Sequence, residues 1–280
     1  LEESYALCGR IARKTGKNFY YSFLVMPRTK RAAMCAIYAF MRRSDDIADG
    51  AANPAVALEG LQKWRGQVDA ALSGDATGDP ILPALADTVR GFRIPSRHFH
   101  ELLDGTEMDQ TATRYATFDD LYKYCYRVAS AVGLVVLPVF GYKDEAALVP
   151  AEACGIAFQL TNILRDVKED AQMGRIYLPL EDLRRFGVSE DDIMDSRATP
   201  QFREMMKFEA ARAHGYYEKA RPLLHMIDAD SRSTLVVMMT IYGVILRKIE
   251  ESNFAVFDRR ARLSTDEKLW IVGKNWGGWR

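Results

Sequence analysis

Apolar residues recur along this chain at spacings of three and four, and short polar stretches rich in glycine, proline and asparagine break the pattern. That is the period of an amphipathic helix, and no segment keeps the strict alternation of a half-buried strand. Pro27 followed by a long Ala/Met/Ile stretch predicts a helix to about Asp49. Asn53-Pro54 starts the next, which carries Val56, Leu58, Leu61 and Trp64. Ser73–Pro80, with Gly74, Gly78 and Pro80, reads as a loop. Helices are expected from about Leu82 to Arg90 and from Ser96 to Asp104. Thr117-Phe118-Asp119-Asp120 is an N-cap signature ahead of a helix from Tyr122 to Leu137. Further helices are expected over Pro150–Asp170, Pro200–Leu224 and Asp230–Phe254. Met173–Leu180 has some extended character and reads as a loop. The sum is a single all-α domain over residues 1–280, helices around a central cavity, with residues 273–280 expected as a mobile tail.

Composition narrows the classes. With 280 residues and 48% hydrophobic content, the chain is long enough to bury a large core. Its 38 basic and 38 acidic residues cancel, which removes the electrostatic case for nucleic acid or for strong binding to an anionic membrane. Cys8, Cys35, Cys125 and Cys154 lack CxxC spacing and sit among apolar residues. They read as reduced core thiols of a cytoplasmic protein, not as a disulfide or zinc site. No signal peptide is visible, and a start at Leu1 suggests a trimmed chain. The apolar runs Leu235–Leu246 and Val128–Phe140, the second broken by Gly133 and Pro138, are short for a bilayer span and read as buried helix segments.

The candidate chemistry lies in two helices. In YAFMRRSDDIADG, Tyr38, Arg42, Asp45 and Asp49 share one helical face, with Asp46 beside them and apolar residues around. Like charges at this spacing repel. In GIAFQLTNILRDVKED, Gln159, Asn162, Asp166 and Asp170 repeat the arrangement, with Arg165 and Glu169 adjacent. Carboxylates four residues apart lie about 6 Å apart along the axis and can share a hard cation. Oxygen donors without nearby His or Cys suit Mg²⁺, which prefers to share its shell with substrate phosphates. One DxxxD face is more often a solvated helix surface than a ligand set. Two on apolar helices, each with Arg or an amide on the stripe, favour a metal–diphosphate cluster. Arg suits the bidentate anion contacts such a cluster needs.

A third segment, YKYCYRVASAVGLVVLPVFGY, carries the small residues Ala129, Ser130, Ala131 and Gly133 beside Tyr124 and Tyr126. Such a strip lets another helix approach, or lines a channel for a long apolar substrate. Lys17, Arg28, Arg31, Arg175 and Arg259 are basic positions available to a second anion.

In order, KNFYYSFLVMP, YAFMRRSDDIAD, RYATFDDLYKYCYRVASAVG and QLTNILRDVKEDAQMGRIYLP resemble the squalene/phytoene synthase family over nearly the whole chain. Within it, NFYYSF and YCYRVASAVGL look most like the bacterial hopanoid-pathway presqualene diphosphate synthases. The resemblance implies an all-α isoprenoid synthase fold and a Mg²⁺-dependent head-to-head (1'-1) condensation of two prenyl diphosphates, here farnesyl diphosphate to presqualene diphosphate. It implies that Asp45, Asp46 and Asp49 on one side, and Asn162, Asp166 and Asp170 on the other, hold roughly two to three Mg²⁺ ions shared with diphosphate. Arg42, Gln159 and Arg165 would steady diphosphate oxygens. Tyr38, Tyr124, Tyr177 and Tyr242 would line the site, with Tyr38, Arg42, Tyr124, Arg165 and Tyr177 in catalytic roles. Lys17, Asn18 and Arg259 would serve the second diphosphate; Gly16 and Asn18 stand where family members often have serines. Full squalene synthesis with NADPH and phytoene synthesis from geranylgeranyl diphosphate are the alternatives. NADPH is not expected, since no Gly-rich dinucleotide fingerprint is present.

Elongases and cyclases that share the metal logic typically show DDxxD. A di-iron bundle needs Glu-x-x-His pairs, which His98, His100, His214 and His225 do not supply. A non-catalytic helical scaffold leaves two acidic stripes unexplained. The implied partner is a prenyl diphosphate, a lipid with a charged head, so peripheral contact with the inner face of a membrane fits without an anchor. Oligomeric state is not readable from the chain.

Overall fold

The computed structural model describes residues 1–16 and 19–275. Among them the chain runs α1 (Glu2–Thr15), α2 (Phe19–Phe23), α3 (Arg28–Asp49), α4 (Pro54–Leu72), α5 (Leu82–Phe92) and α6 (Arg97–Met108). It continues through α7 (Phe118–Cys125), a π-helical turn (Tyr126–Ser130), α8 (Ala131–Phe140) and α9 (Leu148–Gln172). Then come α10 (Leu180–Phe186), α11 (Glu190–Met194), α12 (Pro200–Ala220), α13 (Leu223–Met226), α14 (Ala229–Glu251) and α15 (Thr265–Asn275). The described residues form two isolated bridges, Arg114–Ile176 and Tyr142–Ile227, and no strand.

Local chemistry sets the helix starts. Asn53 caps α4 by accepting from the Val56 N–H at 3.1 Å, with Pro54 in the first turn. Thr117 accepts from the Asp120 N–H at 3.2 Å, so α7 begins at Phe118, four residues before the expected Tyr122. The helix expected to end at Leu224 stops at Ala220, and α13 follows as a separate short turn. α1 was not expected. Its buried face is Ser4, Cys8 and Ala12, small side chains that give little apolar signal yet let α1 lie close on α3. Of the tail expected over 273–280, Gly273, Lys274 and Asn275 form the last turn of α15, and residues 276–280 lie outside the described residues.

α9 is the central element. It packs on α8, α12, α14 and the π-turn, while α3 packs on α1, α4 and α5. Beneath α3, Phe40 stacks on Trp64 at 6.1 Å and meets Phe99 edge-on at 5.1 Å. Each such ring contributes roughly 1.5–3 kcal/mol on burial. Gly155 brings α9 against the π-turn: a Cβ there would lie 2.5 Å from Ser130 Cα. Half of the small-residue strip therefore seats a helix, as its plain reading had it.

Three stretches, Phe118–Phe140, Glu145–Gln172 and Ala229–Glu251, have the length and apolarity of membrane spans. The expectation that the apolar runs are too short counted only uninterrupted residues. Here these helices pack together and wall the cavity described next.

Candidate active site

A cavity of about 880 Å³ opens between α3, the α7–α8 helix, α9, α14 and the segment 260–263. That is near the upper end of ligand sites, roughly 300–1,000 Å³. Its walls divide by chemistry. Along the α7–α8 helix, Val128, Val132, Val136 and Phe140 line it at four-residue steps, a stripe of ~18 Å. Ala129 and Gly133 line it too, so the other half of the small-residue strip faces open space. The polar lining includes Arg42, Asp45, Asp109, Gln159, Asn162, Arg165 and Arg260, with Arg262 and Lys268 as further cations.

The first acidic stripe is split. Tyr38, Arg42 and Asp45 line the cavity. Asp46 is exposed and pairs with Arg42 at 2.5 Å, and Asp49 is exposed at the end of α3, outside the lining. Asp45 is exposed as well, but to the cavity, where many protein atoms stand close around it. That enclosure, with Asp49, Asp109 and Asp46 nearby, pushes its carboxyl up to about 6 against the pull of Arg42.

On α9, Gln159, Asn162 and Arg165 line the cavity. Asp166 accepts both Arg165 (2.7 and 2.6 Å) and Arg260 (2.6 and 2.7 Å). Burial raises its carboxyl, but the two guanidiniums outweigh burial and hold it below the usual range. Asp170 has no such partner. Burial, then Asp166, Asp109 and Glu169, push it up to about 7 despite Arg175. Asn162 Oδ1, Glu169 Oε2 and Arg42 Nε are buried without a protein partner.

Asp109, at the C-cap of α6, was not expected. Its oxygens accept Tyr124 Oη at 3.1 Å and Tyr177 Oη at 2.8 Å, and Arg175 donates to its backbone carbonyl at 2.8 Å. Burial raises its carboxyl and the two hydroxyls lower it, with a net rise. Because it raises both Asp45 and Asp170, it stands within electrostatic range of both stripes. Asp109 has no helical partner at three or four residues, so a search for DxxxD faces passes over it.

The aromatic residues fall into two groups. Tyr124 lines the cavity and stacks on Tyr177 at 5.1 Å; Tyr177 joins through Asp109 rather than through the lining. Tyr242 stacks on Phe158 at 4.3 Å with planes 14° apart, beside Phe19 at 5.8 Å, all three in the wall. Tyr38 donates to Thr15 at 3.2 Å. Gly16 lets this corner close, since a Cβ there would meet the Tyr38 ring at 3.0 Å. Lys17 and Asn18 lie outside the described residues.

The structure does not bring Arg259 to the site. It is exposed and does not line the cavity; its neighbour Arg260 does. α14 ends at Glu251, and Asn253 and Phe254 take φ of 52° and 58°, so the chain leaves helical register. Which of two adjacent arginines turns inward is then no longer a matter of period. Arg28 is exposed and Arg31 is not in the lining.

The donor set suits a hard cation. It offers carboxylate and amide oxygens from two helices, with repelled carboxyls and an orphaned amide oxygen among them. Among the described residues no three carboxylate, His or Cys groups are gathered closely enough to cage an ion unaided. An ion here would take part of its shell from water or from a ligand's oxygens, as Mg²⁺ commonly does.

Residues 12–267 match the family described as squalene/phytoene synthase. The 15-cis-phytoene synthase of Synechocystis sp. is 38% identical over 288 residues, covering 99% of this chain and 85% of the relative. A crystal structure of a dehydrosqualene synthase in complex with ligand superposes with a TM-score of 0.90 at 34% identity, covering 98% of this chain and 95% of that one. That of squalene synthase HpnC from Alicyclobacillus acidocaldarius gives 0.85 at 30% identity, covering 90% and 95%.

Proposed function

The chain belongs to the squalene/phytoene synthase family and is a prenyltransferase of that type, and on that premise we propose that it condenses two geranylgeranyl diphosphates head to head to phytoene. The presqualene product expected from the NFYYSF and YCYRVASAVGL wording gives way to this reading, which is supported by the 38% identity of this chain to phytoene synthases of Synechocystis sp., Arthrospira platensis and Synechococcus elongatus. The observation that carries the condensation is a single cavity that joins Arg42 and Asp45 of α3 and Gln159, Asn162 and Arg165 of α9 to a long apolar wall, with the α9 carboxylates Asp166 and Asp170 outside its lining.

In this reading Asp45 and Asp49 on α3, and Asn162, Asp166 and Asp170 on α9, hold Mg²⁺, with Asp46 released from Arg42 as a further oxygen. The ions supply charge neutralisation for a departing diphosphate. Arg42, Arg165 and Gln159 bind diphosphate oxygens; the unpartnered Nε of Arg42 is a donor ready for one. The Val128–Phe140 stripe receives a prenyl tail and excludes water from the allylic cation left behind. The faces of Tyr242, Phe158 and Phe19 stabilise that cation. The C2–C3 double bond of the second prenyl chain attacks it, and proton loss closes a cyclopropane. Tyr124, held by Asp109, gives that proton an oxygen to pass through. Loss of the second diphosphate and of a second proton completes a redox-neutral route, so phytoene formation needs no NADPH. A lipid substrate and an apolar product favour work at the membrane surface from the cytoplasmic side.

Condensation of farnesyl diphosphate, halting at presqualene diphosphate or going on to squalene, is the second reading, favoured by the superposition on squalene synthase HpnC. Incubation with each prenyl diphosphate and Mg²⁺, with and without NADPH, decides, with products read by mass spectrometry before and after phosphatase. A C40 hydrocarbon from geranylgeranyl diphosphate supports phytoene synthesis. A C30 diphosphate from farnesyl diphosphate alone supports the second reading, and no product from either overturns the condensation.

A further inference from the structure

Asp166 is the one carboxylate of the two stripes that is already fully engaged. A carboxylate offers about four lone-pair positions. Asp166 has all of them in use: Arg165 Nε and Arg260 Nε on Oδ1 at 2.7 and 2.6 Å, and the two Nη2 atoms on Oδ2 at 2.6 and 2.7 Å. A cation cannot take either oxygen unless a guanidinium leaves.

The two arginines are not equally free to do so. Arg165 belongs to α9 itself, and its side chain is 13% exposed; the Arg260 side chain is 33% exposed and comes from an irregular segment that lines the cavity. That segment has independent anchors. Lys168 Nζ donates to the Phe257 carbonyl, and Lys248 Nζ to the Arg262 carbonyl at 3.1 Å. Arg260 can therefore release Asp166 by a side-chain movement while its backbone stays in place. Its second acidic neighbour, Glu169 at 3.8 Å, is too far for a hydrogen bond and holds it weakly.

The geometry points to Arg260 as an exchangeable counter-ion: it neutralises Asp166 when no metal is bound, and transfers to a diphosphate oxygen when a divalent cation takes the carboxylate. This deepens, and rests on, the prenyl diphosphate reading. It makes Arg260 a positioning residue that couples the two ligands. Metal alone must displace Arg260 with nothing to receive it, so it binds the α9 stripe weakly. Metal with diphosphate gives the displaced guanidinium a new anion, so each strengthens the other by the same factor. The exchange also explains how a buried carboxylate on an apolar helix is kept charged without its ion.

The test separates ion from anion. Mn²⁺ binding without other ligand is measured by the EPR signal of the free ion, and pyrophosphate binding at saturating Mn²⁺ by calorimetry, for the full chain, R260Q and R260K. R260Q is expected to bind Mn²⁺ alone about tenfold more tightly and pyrophosphate about tenfold more weakly, each shift matching the loss of one charge-assisted pair. R260K, a point charge that cannot span both oxygens, falls between. A residue that only stiffened the fold would shift both affinities in the same direction. Mn²⁺ affinity that is unchanged or weaker in R260Q and R260K overturns the exchange, whatever pyrophosphate does. Pyrophosphate that fails to bind the unmodified chain at saturating Mn²⁺ overturns the diphosphate reading beneath it. If R260Q does not fold, as judged by circular dichroism, R260K carries the same two comparisons.

Discussion

Tyr177 donates its hydroxyl to Asp109 Oδ1 at 2.8 Å, which ties the loop after α9 to the end of α6. Tyr124 occupies the other oxygen, so one buried carboxylate orients both tyrosines beside the acidic stripes. Asp109→Asn keeps the shape but turns one acceptor oxygen into a donor that faces a hydroxyl. We expect turnover at saturating Mg²⁺ to fall about 10–100-fold, the usual cost of losing a residue that orients active groups. A variant that folds and turns over at the normal rate would remove Asp109 from the site.

Asp45 is held in a place its charge resists, pushed up to about 6 by burial and by Asp49, Asp109 and Asp46. Asp45→Asn should therefore separate stability from function. Without ligand its melting temperature should rise by roughly 2–4 °C, about 1 kcal/mol once cavity water has screened the repulsion. Turnover should fall about 10²–10³-fold. Calorimetry without Mg²⁺, paired with a product assay, checks both signs.

The apolar stripe makes chain length adjustable. Val136 stands two turns beyond Val128 in the cavity wall. Val136→Phe should obstruct the deeper part and favour the shorter prenyl chain by about tenfold or more. Competition between farnesyl and geranylgeranyl diphosphates, read by mass spectrometry, measures the shift. An unchanged ratio would place the tail elsewhere.

Away from the cavity, Glu209 is 2% exposed and accepts from Arg212 Nη1 at 2.7 Å with each oxygen, while Asp182 competes for the same nitrogen at 2.9 Å. Burial first, then Asp182, push its carboxyl up to about 8 against Arg212. The folded chain thus holds a proton that the unfolded chain releases above about pH 4.3. Stability should fall as pH rises from about 5 to 8, by on the order of 1–3 kcal/mol. Glu209→Gln should flatten that slope. Urea unfolding at pH 5, 6.5 and 8 tests it, and equal slopes would refute the assignment.

Gly155→Ala tests the closest helix approach. The added Cβ would lie 2.5 Å from Ser130 Cα and 2.6 Å from its nitrogen, backbone atoms that cannot move aside alone. Denaturant midpoints should show a loss of about 1–3 kcal/mol.

Much of this protein is legible in one dimension because helical period is a local property. Tyr38, Arg42, Asp45 and Asp49, like Gln159, Asn162 and Asp166, share a face wherever their helix sits. The all-α class, the two stripes and the family follow from such segments. What tertiary structure alone decided depends on partners distant along the chain. Asp109 meets Tyr124 and Tyr177 across 15 and 68 positions, and Arg260 meets Asp166 across 94. The small face of α1 gains meaning only against α3. Asp46 turns to Arg42 and Asp45 to the cavity, although their spacing on α3 differs by one residue. Spacing places side chains around one axis, whereas the choice of Arg260 over Arg259 is made by the path of a segment with no period at all.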